Sequence, residues 1–273
     1  MEYKASIIIL DYKKSKRVCE NVKYLQNQNT AFPYEIIVVD NSCDISNADK
    51  LKCLDKYENV QLHINKTNVG YINGNNQGAK HAKGEYLLIV NPDIVMRDEN
   101  TLQKLVDYME ANPETGILGP KQINDDDGST AMTVRAFPKF FLQVARRTFL
   151  RKLPIIKNLV AHDEMQHLDY NKTQEVDWLQ SSFWVIRKDL WDSFGGLNRD
   201  YFIFMSDPDM CFKTWKKGFK VIYYPDVKVY ADGIRLSSGG FKAYFQKWTL
   251  RQHVKDSLKY VWNHLFARNP RTK

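Results

Sequence analysis

The chain has 273 residues, 43% hydrophobic and 13% aromatic, with a formal net charge of +8. That is enough apolar material for one large α/β domain or two small ones, and it argues against disorder. The basic balance fits phosphate-bearing substrates, an anionic membrane surface or nucleic acid without choosing among them, and the four cysteines, which form no CxxC pair and no zinc-spaced His/Cys cluster, read as reduced thiols of a cytosolic chain.

The first half alternates strand and helix signals. ASIIILD (5–11) is a continuous apolar run with β-branched residues, the mark of a strand buried on both faces. It is too short for a signal segment or a membrane span. No long uncharged apolar stretch follows, which points to a soluble or peripheral protein working in the cytoplasm. A helix is expected over 14–28, a strand at EIIVVD (35–40), a helix over 47–57 and a strand at VQLHIN (60–65). Then come a helix over 72–83 ending at Gly84, a strand at EYLLIV (85–90), a helix over 98–111 and a short strand at GILGP (116–120). Strand and helix in repetition mean βαβ units and a mostly parallel sheet.

The second half is less regular. NDDDGST (124–130) is a turn. Residues 138–170 are basic and aromatic, with Arg146, Arg147, Arg151 and Lys152. VDWLQSSFWVIR (176–187) reads as a strand, 188–194 as a short helix, KVIYYP (220–225) as a strand and 241–266 as helical. There is no repeat and no clean linker. The preferred division is one domain over 1–240, with a nucleotide half to about 120 and an acceptor half beyond it, followed by a basic amphipathic helical tail over 241–273.

In an open parallel sheet, ligands bind beyond the carboxyl ends of the strands. Four successive strands here end in polar groups: Asp11 and Tyr12; Asp40 and Asn41; Asn65, Asn68 and the segment NVGYINGNNQG; and Asn91-Pro92-Asp93. Each alone reads equally well as a turn or cap, but their convergence on one edge points to a ligand site. The glycines permit close backbone approach. They match neither GxGxxG nor the P-loop, which argues against a dinucleotide enzyme or a P-loop NTPase. Asp93, just after a central strand, suits Mg²⁺ or Mn²⁺, which take carboxylates together with substrate phosphates. Asp207-Pro208-Asp209 follows the apolar run YFIFM. A carboxylate there reads as a helix cap or, because apolar surroundings raise its pKa, as a general base.

In this order the residues resemble glycosyltransferase family 2, across about Ser6 to Tyr260. The segments carrying the likeness are SIIILDY, EIIVVDNSCD, NVGYINGNNQGAKHAKGEYLLIVNPDI and VDWLQSSFWVIRKDLWDSFGGLNRDYFIFMSDPDMCFK. The NPD triplet, RAFP (135–138), VDW (176–178) and HVKDSLKY are most similar to bacterial rhamnosyltransferases of O-antigen and related surface polysaccharides. The resemblance implies a GT-A type α/β fold, with a Rossmann-like, mostly parallel central sheet flanked by helices and a C-terminal helical extension. It implies an inverting transfer, most readily of L-rhamnose from dTDP-rhamnose, to a saccharide or lipid-linked oligosaccharide acceptor. UDP-hexose, UDP-galactofuranose and UDP-N-acetylhexosamine are the alternative donors. By this likeness Tyr12 and Asp40 contact the nucleobase. Asn68, Gly70 and Asn76 shape the donor pocket, with Asn91 in place of the first carboxylate of the usual DxD triplet. Asp93 binds Mg²⁺ or Mn²⁺, Trp178 and Asp209 belong to the acceptor site, and Asp207 is the catalytic base. The chain departs from the family at Ser206 (usually Glu), at Gln180-Ser181-Ser182 (usually Gly or Ala) and at Tyr230 (often His).

The tail interleaves Lys242, Lys247, Arg251, Lys255, Lys259 and Arg268 with Phe241, Tyr244, Phe245, Trp248, Tyr260, Trp262 and Phe266. It reads as a helix packed on the domain, with an outer face open to peripheral contact with anionic lipid. From other classes, a nucleic-acid-binding module has the charge but no recognition signature, so nucleic acid is not an expected partner. A non-catalytic scaffold is the reading that Ser206 and Tyr230 would favour.

Overall fold

Four apolar runs become adjacent parallel strands. In the computed structural model, which describes residues 3–139, 141–142, 145, 148–232, 248–265 and 267–271, the chain begins β1 (Ala5–Asp11), α1 (Ser15–Gln26), β2 (Tyr34–Asp40), α2 (Ile45–Leu51), β3 (Val60–Ile64), α3 (Gly70–His81) and β4 (Tyr86–Val90). It continues with β5 (Ile94–Val95), α4 (Thr101–Ala111) and β6 (Thr115–Asn124). The runs are continuous rather than alternating because helices cover both sheet faces. Ile7 and Ile9 enter a core shared with α1 and α4, while Ile8 enters a second core shared with α3. A Cβ at Gly74 would stand 2.4 Å from the Leu10 side chain, so glycine there lets α3 lie close on β1.

Beyond β6 come β7 (Val134–Arg135), α5 (Pro154–Asp163), β8 (Gln174–Glu175), β9 (Trp178–Leu179), β10 (Phe183–Arg187), α6 (Lys188–Ser193), α7 (Ser206–Lys216), β11 (Lys220–Ala231) and α8 (Trp248–Asn263). Among the described residues one nine-stranded sheet runs β3-β2-β1-β4-β10-β6-β11-β5, with β8 paired to β11; β7 and β9 form a separate ribbon. The parallel expectation holds for β3-β2-β1-β4 and for β6 with β11. It fails at β10, which runs antiparallel between β4 and β6, and at β5 and β8 on the far edge. Side-chain pattern reports burial, and pairing direction leaves no trace in it.

The expected strand over 176–187 breaks at Gln180–Ser182, where the backbone turns toward α7. The strands expected at 116–120 and 220–225 extend to ten and twelve residues, because β6 and β11 pair along most of their length. The reading of four free thiols is corrected. Cys19 on α1 and Cys53, in the 3₁₀ turn after α2, are disulfide-bonded; Cys43 and Cys211 are free. Spacing of 34 residues gave no hint of it, because two helices bring the pair together. Helix α8 buries Leu250, His253 and Tyr260. The basic and aromatic residues Arg146, Arg147, Arg235, Phe241, Lys242, Tyr244, Phe245, Lys247 and Phe266 lie outside the described residues. Among the described residues no helix is long and apolar enough to cross a membrane.

Candidate active site

The carboxyl ends of β1 and β2 are tied together by one side chain. Asn47, on α2, donates to Asp11 Oδ2 at 2.6 Å, to Asp40 Oδ1 at 3.2 Å and to Ser42 Oγ at 3.0 Å. The N–H of Lys14 donates to Asp11 Oδ1 and that of Ser42 to Asp40 Oδ1. Burial pushes the Asp11 carboxyl up, against the pull of Asn47 and Lys14. Asp40 is fully buried, and its Oδ2 has no hydrogen-bond partner among the described residues. Such an orphaned acceptor, with the half-exposed Tyr12 (52% exposed) one residue beyond its strand partner Asp11, suits a flat N–H-bearing base. Next to it, Asn41 Nδ2 donates to Asn68 Oδ1 at 2.8 Å, and Asn68 Oδ1 also accepts from the Gly70 N–H at 2.9 Å. Gly70 has φ +83°, and a Cβ there would meet the Phe202 ring at 2.8 Å; the turn into α3 needs glycine on both counts.

The second cluster forms where β5 meets β11. Ala231 pairs with Ile94, so Asp232 arrives beside Asp93, and the two carboxyls are hydrogen-bonded. Burial and then Asp232 hold the Asp93 carboxyl above its ordinary range, against the attraction of Lys14, whose Nζ lies 3.4 Å away. Arg17 Nη2 is 3.7 Å from Asp232. A pair of adjacent hard oxygen donors with two flanking basic side chains fits Mg²⁺ or Mn²⁺ together with a diphosphate. Among the described residues no cluster of three or more acidic, His or Cys side chains exists, so phosphate and water would complete the coordination.

The third element is Asp207, on the first turn of α7. It is entered through Met205, whose φ of +68° is a costly conformation for a residue with a side chain. Ser181 N–H donates to Asp207 Oδ2 at 3.1 Å and Ser206 Oγ to Oδ1 at 3.1 Å. Burial raises the Asp207 carboxyl, and these two donors oppose the rise. Tyr71, one residue after Gly70, places its hydroxyl 3.0 Å from both the carbonyl oxygen and Oγ of Ser181. Burial first, and then the Asp207 and Asp93 charges, raise the Tyr71 phenol. Tyr71 therefore lies in the field of both carboxylates.

Sequence comparison places this geometry. The family model for Glycosyl transferase family 2 matches residues 6–189. The chain belongs to glycosyltransferase family 2. An N-acetylglucosaminyl-diphospho-decaprenol L-rhamnosyltransferase of Mycobacterium tuberculosis is 24% identical over 211 residues, covering 73% of this chain and 67% of that protein. Rhamnosyltransferase WbbL of Escherichia coli K12 is 24% identical over 203 residues, covering 73% and 69%. Among solved structures, the mannosyltransferase PcManGT of Pyrobaculum calidifontis, in complex with GDP-Man and Mn²⁺, superposes with a TM-score of 0.60 at 16% identity, covering 99% of this chain and 72% of that one. GalNAc-T7 with UDP, GalNAc and Mn²⁺ gives 0.61 at 17% identity, covering 89% and 47%. The fold is that of the GT-A glycosyltransferases, and the chain is a glycosyltransferase.

Within this family-2 chain, Asp40, Asn68, Gly70, Asn91 and Asp93 lie at the carboxyl edge where the sequence put them, with Tyr12 beside them. Three expected residues are otherwise engaged. Asn76 spends both amide atoms on the backbone of Leu197, at 2.8 Å each, and so ties α3 to the 197 loop. Asp209 pairs with Lys213 at 2.7 Å and His264 at 3.5 Å, tying α7 to the chain after α8. Trp178 donates its indole N–H to the Ala136 carbonyl at 2.7 Å. Tyr230 stacks under Arg97, 4.2 Å from the guanidinium carbon to the ring centroid, and is not part of the carboxylate cluster. Sequence reading missed Asp232 and Tyr71. Asp232 had a usable signal, since it too is a carboxylate ending an apolar strand. Tyr71 sat inside a segment read for its glycines.

Proposed function

We propose that the protein transfers L-rhamnose from dTDP-rhamnose to a saccharide on a lipid-linked acceptor, by a single inverting displacement, working peripherally at a membrane surface in surface-polysaccharide synthesis. The observation that carries the reading is the set of carboxylates beyond the strand ends: an unsatisfied acceptor at Asp40, a carboxylate pair at Asp93 and Asp232, and a half-buried carboxylate at Asp207 whose pKa desolvation raises. The two rhamnosyltransferase relatives support the donor.

Asp40 and Tyr12 hold the thymine, and Asn41 and Asn68 stiffen the loop beside it. Asp93 and Asp232 hold Mg²⁺ or Mn²⁺, which when bound neutralises the departing diphosphate. Lys14 and Arg17 add positive charge on the same side. Asp207 takes the proton from the acceptor hydroxyl as its oxygen attacks the anomeric carbon opposite the nucleotide. Burial makes Asp207 a stronger base, and Ser181 and Ser206 fix its orientation. Ser206, where the family usually has Glu, thereby keeps the base position free of a second charge.

The test is release of nucleoside diphosphate from a panel of nucleotide sugars with Mn²⁺. Release from dTDP-rhamnose alone, abolished in Asp93→Ala and Asp232→Ala and reduced about 10²–10⁴-fold in Asp207→Asn, is the expected result. Release from a UDP-sugar instead would overturn the donor. No release from any donor, with no cation-dependent nucleotide binding, would favour a scaffold.

A further inference from the structure

The break at Gln180–Ser182, one of the places where the chain departs from its family, supports the Asp207 carboxylate, and each of its residues is held. The Gln180 N–H donates to the Thr133 carbonyl at 2.9 Å. The Ser182 carbonyl accepts the Asn91 N–H at 2.9 Å, and the Ser182 hydroxyl pairs with the Gln122 amide at 2.8 and 3.2 Å. Between them stands Ser181, whose N–H donates to Asp207 Oδ2. Its carbonyl oxygen and its Oγ both meet the Tyr71 hydroxyl, at 3.0 Å each. A carbonyl can only accept, so the phenol proton has a fixed taker there.

Tyr71 also reaches the base from a second direction. Its own N–H donates to the Phe202 carbonyl at 3.1 Å, in the run that enters α7 through Met205. One residue thus touches both stretches of backbone that place Asp207: the Gln180–Ser182 break by its side chain, and the Phe202–Met205 run by its main chain. It follows Gly70 at the start of α3, where the Gly70 N–H bonds Asn68 Oδ1. The ring itself packs on the core that includes Trp184 and Tyr201, so the hydroxyl is aimed from a fixed body. Burial and the charges of Asp207 and Asp93 keep the phenol protonated, so it serves as a donor and not as a second base.

We propose that Tyr71 is the positioning residue of the base: its hydroxyl fixes Ser181, Ser181 holds the Asp207 carboxylate, and the start of α3 thereby sets where the acceptor's proton is taken. The inference rests on the reading of Asp207 as the base.

Tyr71→Phe keeps the ring and removes one oxygen, so circular dichroism should match wild type. With the donor that the nucleotide-sugar panel selects, kcat should fall about 10–100-fold. KM for the donor and cation-dependent nucleotide binding should stay unchanged. The acid limb of kcat/KM should move to higher pH: the Ser181 N–H stabilises the ionised carboxylate, so a looser Ser181 lets its pKa rise. The other titratable groups in its field, Tyr71 on α3 and Cys211 on α7, are both held neutral, and Ser206 is untouched. In an Asp207→Asn background, Tyr71→Phe should cost nothing further. Carbon-13 NMR titration of the Asp207 carboxyl, assigned by its loss in Asp207→Asn, reads the same coupling with no donor present; its midpoint should rise by up to about one pH unit in Tyr71→Phe. An unmoved midpoint overturns the proposal. So does wild-type turnover in Tyr71→Phe, or a loss that adds in full to that of Asp207→Asn. Full turnover by Asp207→Asn would instead remove the base assignment, and the titration would still decide whether Tyr71 governs that carboxylate.

Discussion

Ser206 donates its hydroxyl to Asp207 and is one of the two groups that restrain the rise of that carboxyl. A donor to the ionised form stabilises it, so removing the donor raises the pKa further. A base works only when deprotonated. The acid limb of kcat/KM should therefore inflect above the ordinary aspartate value of about 3.9 in wild type, and Ser206→Ala should move that inflection to higher pH. A pH profile of both proteins checks it, and an unmoved limb would remove Ser206 from the base's environment. At this scale the sequence was read well where a residue ends a strand and poorly where its partner is distant. Asp40 and Asp93 were legible by position. The engagement of Asn76 with Leu197 and of Asp209 with His264 was not, because each depends on an element packed from far along the chain.

Helix α8 does more than cover apolar surface. The buried Asp256 carboxylate accepts the N–H groups of Phe202, Ile203 and Phe204, at 3.4, 3.2 and 3.0 Å, and so fixes the backbone that leads through Met205 to Asp207. Hydrogen bonds to a charged acceptor are the stronger kind. Asp256→Asn should cost about 2 kcal/mol of stability. It should lower turnover while leaving cation-dependent nucleotide binding at the other end of the cleft unchanged; denaturant melts and equilibrium binding on one preparation separate the two. Among elements, the buried strands and amphipathic helices were legible because continuous apolar runs and a 3.6-residue period have single physical meanings. The insertion of β10 between β4 and β6 was not, since both directions bury the same faces.

For the molecule as a whole, the Cys19–Cys53 bridge joins α1, which carries Arg17 and Asn21 toward the 91–94 turn and Asp232, to the segment following α2, which carries Asn47 under Asp11 and Asp40. Closing a loop of 34 residues restricts the unfolded chain by about 4 kcal/mol. Urea unfolding of wild type with reductant, and of Cys53→Ser without it, should show the same loss relative to the oxidised protein. Equal stability in all three would mean the bridge does not form in solution. A reducing environment would hold the pair open, so the comparison also measures what stability remains without the bridge. Composition located the cysteines, but only the docking of two helices made them partners.

The meeting of Asp93 and Asp232 has a further consequence. The base-recognising end of the cleft is complete once the first four strands have formed, from local βα units. The carboxylate pair waits for β11, the last strand among the described residues, to cross the sheet and pair with β5. Contacts of such long sequence separation form late. On the proposed reading, a chain truncated before β11 would have the place for the nucleotide's base without the carboxylate pair for the diphosphate, and nucleotide capture would report whether β11 has docked.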